Sequence, residues 1–433
     1  MYKFNILNHF VVGTLGPNLW RFQLSFFILT LGIRANQLAI AWWTLQETNC
    51  AACFSAMVAC AISAEILAKP LLGWVADRYC KIQVILIGNI LSAGSVLALL
   101  TLSLLNEFNA IAVGSLMVIG SIVIGVRDPI QSSIIPSLVD KEQVPLAFRS
   151  KAIMSSLATL IGPVIAGGLI SGLGISMALG VDLLAIVLAA RLVSSAVVKQ
   201  SASNLMTESR ISLILSGFRI AYRIKIEFYL SILAMIVNFA LFPFFAILVP
   251  LYVKDILSLP VWYVGLLDSA FGLGILVGSY YFIGWLENKV PRDVCISVGF
   301  SLLGCNLLIT GLLNSPWLLP IVFFCGGVGL MLVNVHASTV RTLATPQQYR
   351  NRMSATVAFF SALASPIGSI VVGLYTEKTN LNLTIILFGG LISTLSMIVF
   401  LIPQFKLVMR TSNKKLDEVY REIYPTAFHD TAH

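Results

Sequence analysis

Gly73-Trp74-Val75-Ala76-Asp77-Arg78-Tyr79-Cys80-Lys81 is a short charged turn between two long apolar runs, 52–72 and 82–105. Each run can cross a bilayer as a helix, because about 20 apolar residues rising 1.5 Å apiece span roughly 30 Å of hydrocarbon. So short a connection forces the two helices into an antiparallel hairpin. Gly73 lets them approach closely, while Asp77, Arg78 and Lys81 gather charge in the turn. Charge alone reads as a solvated turn. The order of the residues carries more.

The chain has 433 residues, 58% hydrophobic and 11% charged, with a mean hydropathy of +0.91. A soluble domain carries about 25% charged residues, so this is a polytopic membrane protein. Gly16-Pro17-Asn18 interrupts the first stretch, which lacks the apolar core and small-residue cleavage site of a secretory signal. The seven cysteines are scattered, mostly inside apolar runs, and imply no disulfide framework. Cys50 and Cys53 form a C-x-x-C, which reads as two small apolar residues, with a redox pair or metal clip as the alternative.

Read in order, the apolar runs give spans near 22–46, 52–72, 82–105, 110–134, 152–171 and 175–198. Six more follow near 228–253, 261–285, 294–313, 317–340, 353–375 and 384–405. The expected fold is an all-α membrane protein of twelve transmembrane helices in two pseudo-symmetric halves. Its expected parts are an N-terminal six-helix half 1–198, a cytoplasmic linker 199–227, a C-terminal six-helix half 228–405 and a cytoplasmic tail 406–433. Of the 28 basic residues, 23 lie in or beside the termini, the linker and the loops on the side of the charged turn. The opposite loops hold Lys254 and Lys378, while Arg34, Lys69 and Arg127 lie within spans. This asymmetry puts both termini in the cytoplasm. It also explains the net charge of +9 as an orientation signal, and no nucleic-acid module is present.

The halves echo each other. Gly162 and Gly167 in the first match Gly368 and Gly373 in the second at one offset of 206 residues. The stretch from Gly284 to Lys289 repeats the character of the opening turn. The turn itself resembles the loop signature Gly-x-Leu-Ala-Asp-Arg-x-Gly-Arg-Lys of the major facilitator superfamily. Gly73, Ala76, Asp77, Arg78 and Lys81 match; Val75, Cys80 and Ile82 depart. Ile161-Gly162-Pro163 with Gly167, and Pro346 through Pro366 to Gly373, resemble the macrolide-efflux and enterobactin-exporter branch. That resemblance implies the two-half major facilitator fold around a central cavity and a drug:proton antiporter of hydrophobic drugs or siderophores. It also implies that the turn acts as a gate latch, with Arg78 approaching Asp128 and Asp77 near the start of the eleventh helix.

Charges within the bilayer are functional candidates, since burying one costs at least about 2.5–3.5 kcal/mol. Arg34 is midway along the first helix, and Thr30, Gln37 and Ala41 share its face. The resemblance directs that face at substrate; the alternative is a carboxylate partner elsewhere in the bundle. Asn238 and Asn334 are the substrate-binding candidates of the second half, although isolated Asn more often joins helices. Asp128 and His336 are the proton-coupling candidates, His336 because histidine is the residue type whose ordinary titration range spans neutrality. Gating candidates are Gly73, Asp77, Arg78, Lys81, Arg127, Gly162 and Pro163, the proline because it frees a backbone carbonyl within a span. Glu65 and Lys69 are spaced for a local ion pair. Asp182 and Asp268 read as hydrated residues in the outer parts of their helices.

Walker A, H-E-x-x-H and G-x-S-x-G patterns are absent, so neither an enzyme nor a pump with its own ATPase is expected, and no cofactor or metal. The reading is a secondary active transporter of a small organic molecule in a bacterial inner membrane. Alternating access, proton-coupled export and a monomeric state are expected. An uptake carrier for a siderophore or other organic anion is the alternative. A non-transporting membrane sensor or assembly partner is the alternative of another class.

Overall fold

The computed structural model describes residues 16–48, 50–72, 75–140, 143–195, 218–279, 289–412, 415–416 and 419–428. Among them there is no strand. The spans are α1 (Pro17–Thr48), α2 (Ala51–Leu72), α3 (Lys81–Leu104), α4 (Ala110–Leu138), α5 (Val144–Leu173) and α6 (Ile175–Ser194). They continue as α7 (Lys225–Ile256), α8 (Trp262–Val277), α9 (Arg292–Leu312), α10 (Leu319–Ala344), α11 (Arg350–Lys378) and α12 (Leu381–Ile398). All but α8 are long and apolar enough to cross a membrane. The eighth expected span runs on into 280–288, outside the described residues.

Several helices start earlier than the apolar runs. α1 begins at Pro17 and α5 at Val144 with Pro145 next, because a helix is propagated by backbone hydrogen bonds and proline suits its first turn. Asn109 caps α4, accepting hydrogen bonds from the Ile111 and Ala112 amides at 3.0 Å, and Asn380 caps α12 by accepting from Asn382. α5 turns directly into α6 at Gly174, whose φ of +84° is easy only for glycine.

The chain divides into two compact units, Met1–Glu47 with Cys60–Asn204, and Thr48–Ala59 with Leu205–His433. In the first, Leu19 and Phe22 of α1 pack with Ile85 of α3, Ile130 and Ile134 of α4, and Val193 of α6. In the second, Gly327 of α10 lies so close to the Phe271 carbonyl of α8 that a Cβ would collide with it. Lipid offers no hydrophobic drive between helices, so small residues that allow dispersion contact hold such pairs together. α7 is irregular: Phe244–Leu248 and Tyr252–Ile256 are π-helical. Pro250 between them has no N–H to donate, and wide turns of this kind absorb such a gap. Phe245 at this bulge packs on Phe271 with ring centroids 4.5 Å apart.

The segment after α12 also folds onto the second unit. α13 (Phe405–Arg410) buries Phe405 and Val408 completely, α14 (Val419–Ile423) buries Tyr420, and Leu416 between them is fully buried too.

Candidate functional site

Arg34 projects from the middle of α1 and is exposed. Its Nη1 donates to Gln37 Oε1 at 3.3 Å, one turn on, and Gln37 is exposed as well. The aliphatic stem rests on α5, where a Cβ at Gly162 would be 3.1 Å from both Arg34 Cβ and Cγ. Gly162 and Pro163 are both buried, and the missing side chain at Gly162 leaves the gap that admits the stem. Among the described residues no carboxylate pairs with Arg34.

A second polar group lies inside the same unit. Asp182 of α6 is 1% exposed, and its Oδ2 accepts from Asn36 Nδ2 at 2.6 Å. Its Oδ1 has no hydrogen-bond partner and faces Gly32, where a Cβ would be 2.5 Å away. The sequence reading put Asp182 in a hydrated outer position. The structure corrects this, because Gly32 removes the bulk that would hold α6 off α1. Arg127 of α4 is 4% exposed, within electrostatic reach of Asp128, Asp182 and Glu65, and its Nε has no hydrogen-bond partner. Asp128 itself is exposed. Glu65 and Lys69 of α2 form the local ion pair that their spacing suggested, at 2.9 Å.

In the charged turn, Arg78 is exposed, and Lys81 Nζ donates to the Ser133 carbonyl of α4 at 3.4 Å. Gly73 and the Asp77 side chain lie outside the described residues, as does the 284–288 part of its echo. Cys50 Sγ lies 3.5 Å from Glu377 Oε1, and all seven cysteines are free. Burial pushes the Cys50 thiol up to about 11. It therefore stays a thiol at neutral pH, as a small apolar residue would.

In the second unit Asn334 and Ser338 are exposed on α10, whereas His336 is buried. Asn238 is half-buried and donates along α7 to the Ala234 carbonyl at 2.9 Å. Arg341, further along α10, pairs with Glu227: its Nε lies 2.7 Å from Glu227 Oε2. Glu227 is fully buried and also accepts from Tyr420 Oη at 2.7 Å. Among the described residues no cluster of three His, Cys, Asp or Glu could hold a metal ion.

The sequence pattern of the Major Facilitator Superfamily matches residues 23–369. The chain belongs to this superfamily. It is 22% identical over 377 residues to macrolide efflux protein A of Streptococcus pyogenes, covering 86% of this chain and 92% of that protein. Solved structures of the nucleoside transporter NupG and the POT family transporter PepTSo share its fold. NupG superposes with a TM-score of 0.72 at 14% identity, over 89% of this chain and 98% of that one. PepTSo gives 0.71 at 14%, over 90% and 98%. At such identity these two speak for the fold alone. The protein is thus a multi-pass transporter of the major facilitator fold, in a family that is not a class of enzymes.

Sequence reasoning missed the Asp182–Asn36 pair and the Glu227–Arg341–Tyr420 triad. Asp182 stood out as an acid in an apolar run, but its partner Asn36 did not. Tyr420 carries no such signal, since only the folded tail brings it to Glu227.

Proposed function

We propose that this superfamily member is a secondary active exporter that carries a small organic molecule out of a bacterial cell by alternating access, driven by protons. The observation that carries the cargo side is Arg34. A guanidinium midway along a membrane helix, exposed and without a carboxylate, costs at least about 2.5 kcal/mol in hydrocarbon. An anionic group arriving with the cargo would offset that cost, and the fixed fork of arginine suits a carboxylate. Gln37 orients that fork, and Asn238 and Asn334 are the cargo contacts we assign in the second unit. The efflux relative supports the outward direction. The unpaired guanidinium favours a carboxylate-bearing cargo such as a siderophore over a purely cationic drug.

Coupling requires a titratable group whose protonation differs between states, because an unlinked equilibrium gains nothing from the gradient. We assign it to Asp128 and His336, with Asp182 as a third candidate. Gly73, Asp77, Arg78, Lys81 and Arg127 form the gate, and Gly162 with Pro163 lets α5 flex. We further place the protein in the inner membrane as a monomer with both termini cytoplasmic. Counterflow in proteoliposomes with erythromycin, an iron-free carboxylate siderophore and its iron complex tests the reading. Exchange of the carboxylate siderophore, lost when Arg34 is replaced, is expected. Exchange confined to erythromycin would overturn the anion argument, and exchange of none of them the cargo class.

A further inference from the structure

We propose that the described residues 405–412, 415–416 and 419–428 form a latched strap across one end of the second unit, anchored by Arg410 on Asp293 and released by breaking the Tyr420–Glu227 hydrogen bond. The strap reaches four separate parts of that unit. Arg410 Nε donates to Asp293 Oδ1 at 3.2 Å and to Oδ2 at 3.0 Å, while its Nη2 lies 2.9 Å from Oδ2. Asp293 is fully buried in the first turn of α9, where a carboxylate also suits the helix dipole. Arg292 Nη1 donates to the Thr411 carbonyl at 3.3 Å. Further on, Tyr420 donates to Glu227 at the start of α7. Arg223 Nη1 donates to the Thr426 carbonyl at 2.9 Å, and the Phe428 ring packs on Tyr349 with centroids 5.2 Å apart.

The two charged contacts are built differently, and that difference separates anchor from catch. Asp293 has both oxygens held by one two-pronged guanidinium, the strongest form of such a pair. Breaking it would leave a fully buried carboxylate exposed to the full desolvation penalty. Glu227 instead divides its oxygens between two donors: Oε2 takes Arg341 Nε and Oε1 takes Tyr420. When Tyr420 leaves, Glu227 still keeps Arg341 Nε on its Oε2. The released state therefore strands no buried charge. α13 has six residues and α14 five, far too short to hold as isolated helices. Their order depends on docking. The burial of Leu416, Val419 and Tyr420 gives the docked state its stability.

Limited trypsin digestion of the full chain in nanodiscs, followed at Lys415 and Arg421 (both exposed), tests the latch without any cargo. Tyr420→Phe keeps the ring and removes the catch. It is expected to raise cleavage in the strap about tenfold, since opening then costs one buried hydrogen bond less, while the thermal midpoint of the remaining chain is unchanged. Strap cleavage equal to wild type, or unfolding of the whole unit in Tyr420→Phe, would overturn the proposal. Hydrogen exchange of the unaltered protein provides the second measurement. Amides of 419–428 are expected to exchange through a local opening well before those of α9. Protection equal to α9 would mean that the strap is a fixed part of the fold.

Discussion

At the scale of single residues, three side chains are held by the absence of bulk or the presence of one partner. Arg34 lies on Gly162 and, among the described residues, hydrogen-bonds Gln37. Arg34→Lys keeps the charge and loses the fork, so cargo binding should weaken severalfold. Arg34→Gln removes the charge and should weaken it by a hundredfold or more, about 3 kcal/mol for a lost charged hydrogen-bond partner, with folding intact. Retained binding in Arg34→Gln, measured by ligand titration, would make the residue structural. Gly32→Ala is expected to destabilise the first unit by about 1–3 kcal/mol, because its Cβ meets Asp182 Oδ1 and Ala185 Cβ; a thermal melt unchanged from wild type would refute this contact. Burial, the Glu227 charge and the bond to it push the Tyr420 phenol well above its ordinary range. Burial is the largest cause, Glu227 adds to it and Arg341 opposes it. The docked phenol keeps a proton that the undocked one releases near pH 10. Docking stability from this bond is thus full below about pH 10 and falls as pH rises beyond it. Tryptic cleavage of the strap should accelerate there in wild type but not in Tyr420→Phe, provided Tyr424 is also replaced to remove its own titration.

At the scale of elements, packing is decided by where small residues fall on each helix. Gly327 and Gly390 are both glycines in apolar helices, but Gly327 meets the Phe271 backbone and Gly390 faces open space. Gly327→Ala should separate α10 from α8 and lower stability by about 1–3 kcal/mol. Gly390→Ala should be neutral or gain up to about 1 kcal/mol from helix propensity. Comparable thermal midpoints for the two variants would contradict the close approach of α8 and α10. Hydropathy does not separate these two positions, because both lie in runs apolar enough to cross a membrane.

For the whole molecule, transport should depend on the proton gradient. Collapsing the gradient with an uncoupler in proteoliposomes should abolish accumulation, and accumulation that persists would remove proton coupling. Asp128→Asn with His336→Gln together should leave counterflow but abolish gradient-driven accumulation. If accumulation survives in that pair, the coupling passes to Asp182, and Asp182→Asn should then abolish it.

The sequence by itself determined the membrane class and the twelve spans, because hydrocarbon demands about 20 apolar residues per helix and leaves that demand visible in composition. The spacing of Glu65 and Lys69 likewise told of their ion pair, since four residues make one helical turn. The turn from Gly73 to Lys81 led to the superfamily through the order of its residues. Only the tertiary structure decided which polar side chains meet. Asn36 and Asp182, or Glu227, Arg341 and Tyr420, are more than a hundred residues apart or on different helices. The rotation of each helix about its axis is set by side-chain fit at its neighbours, and hydropathy carries almost no record of that rotation.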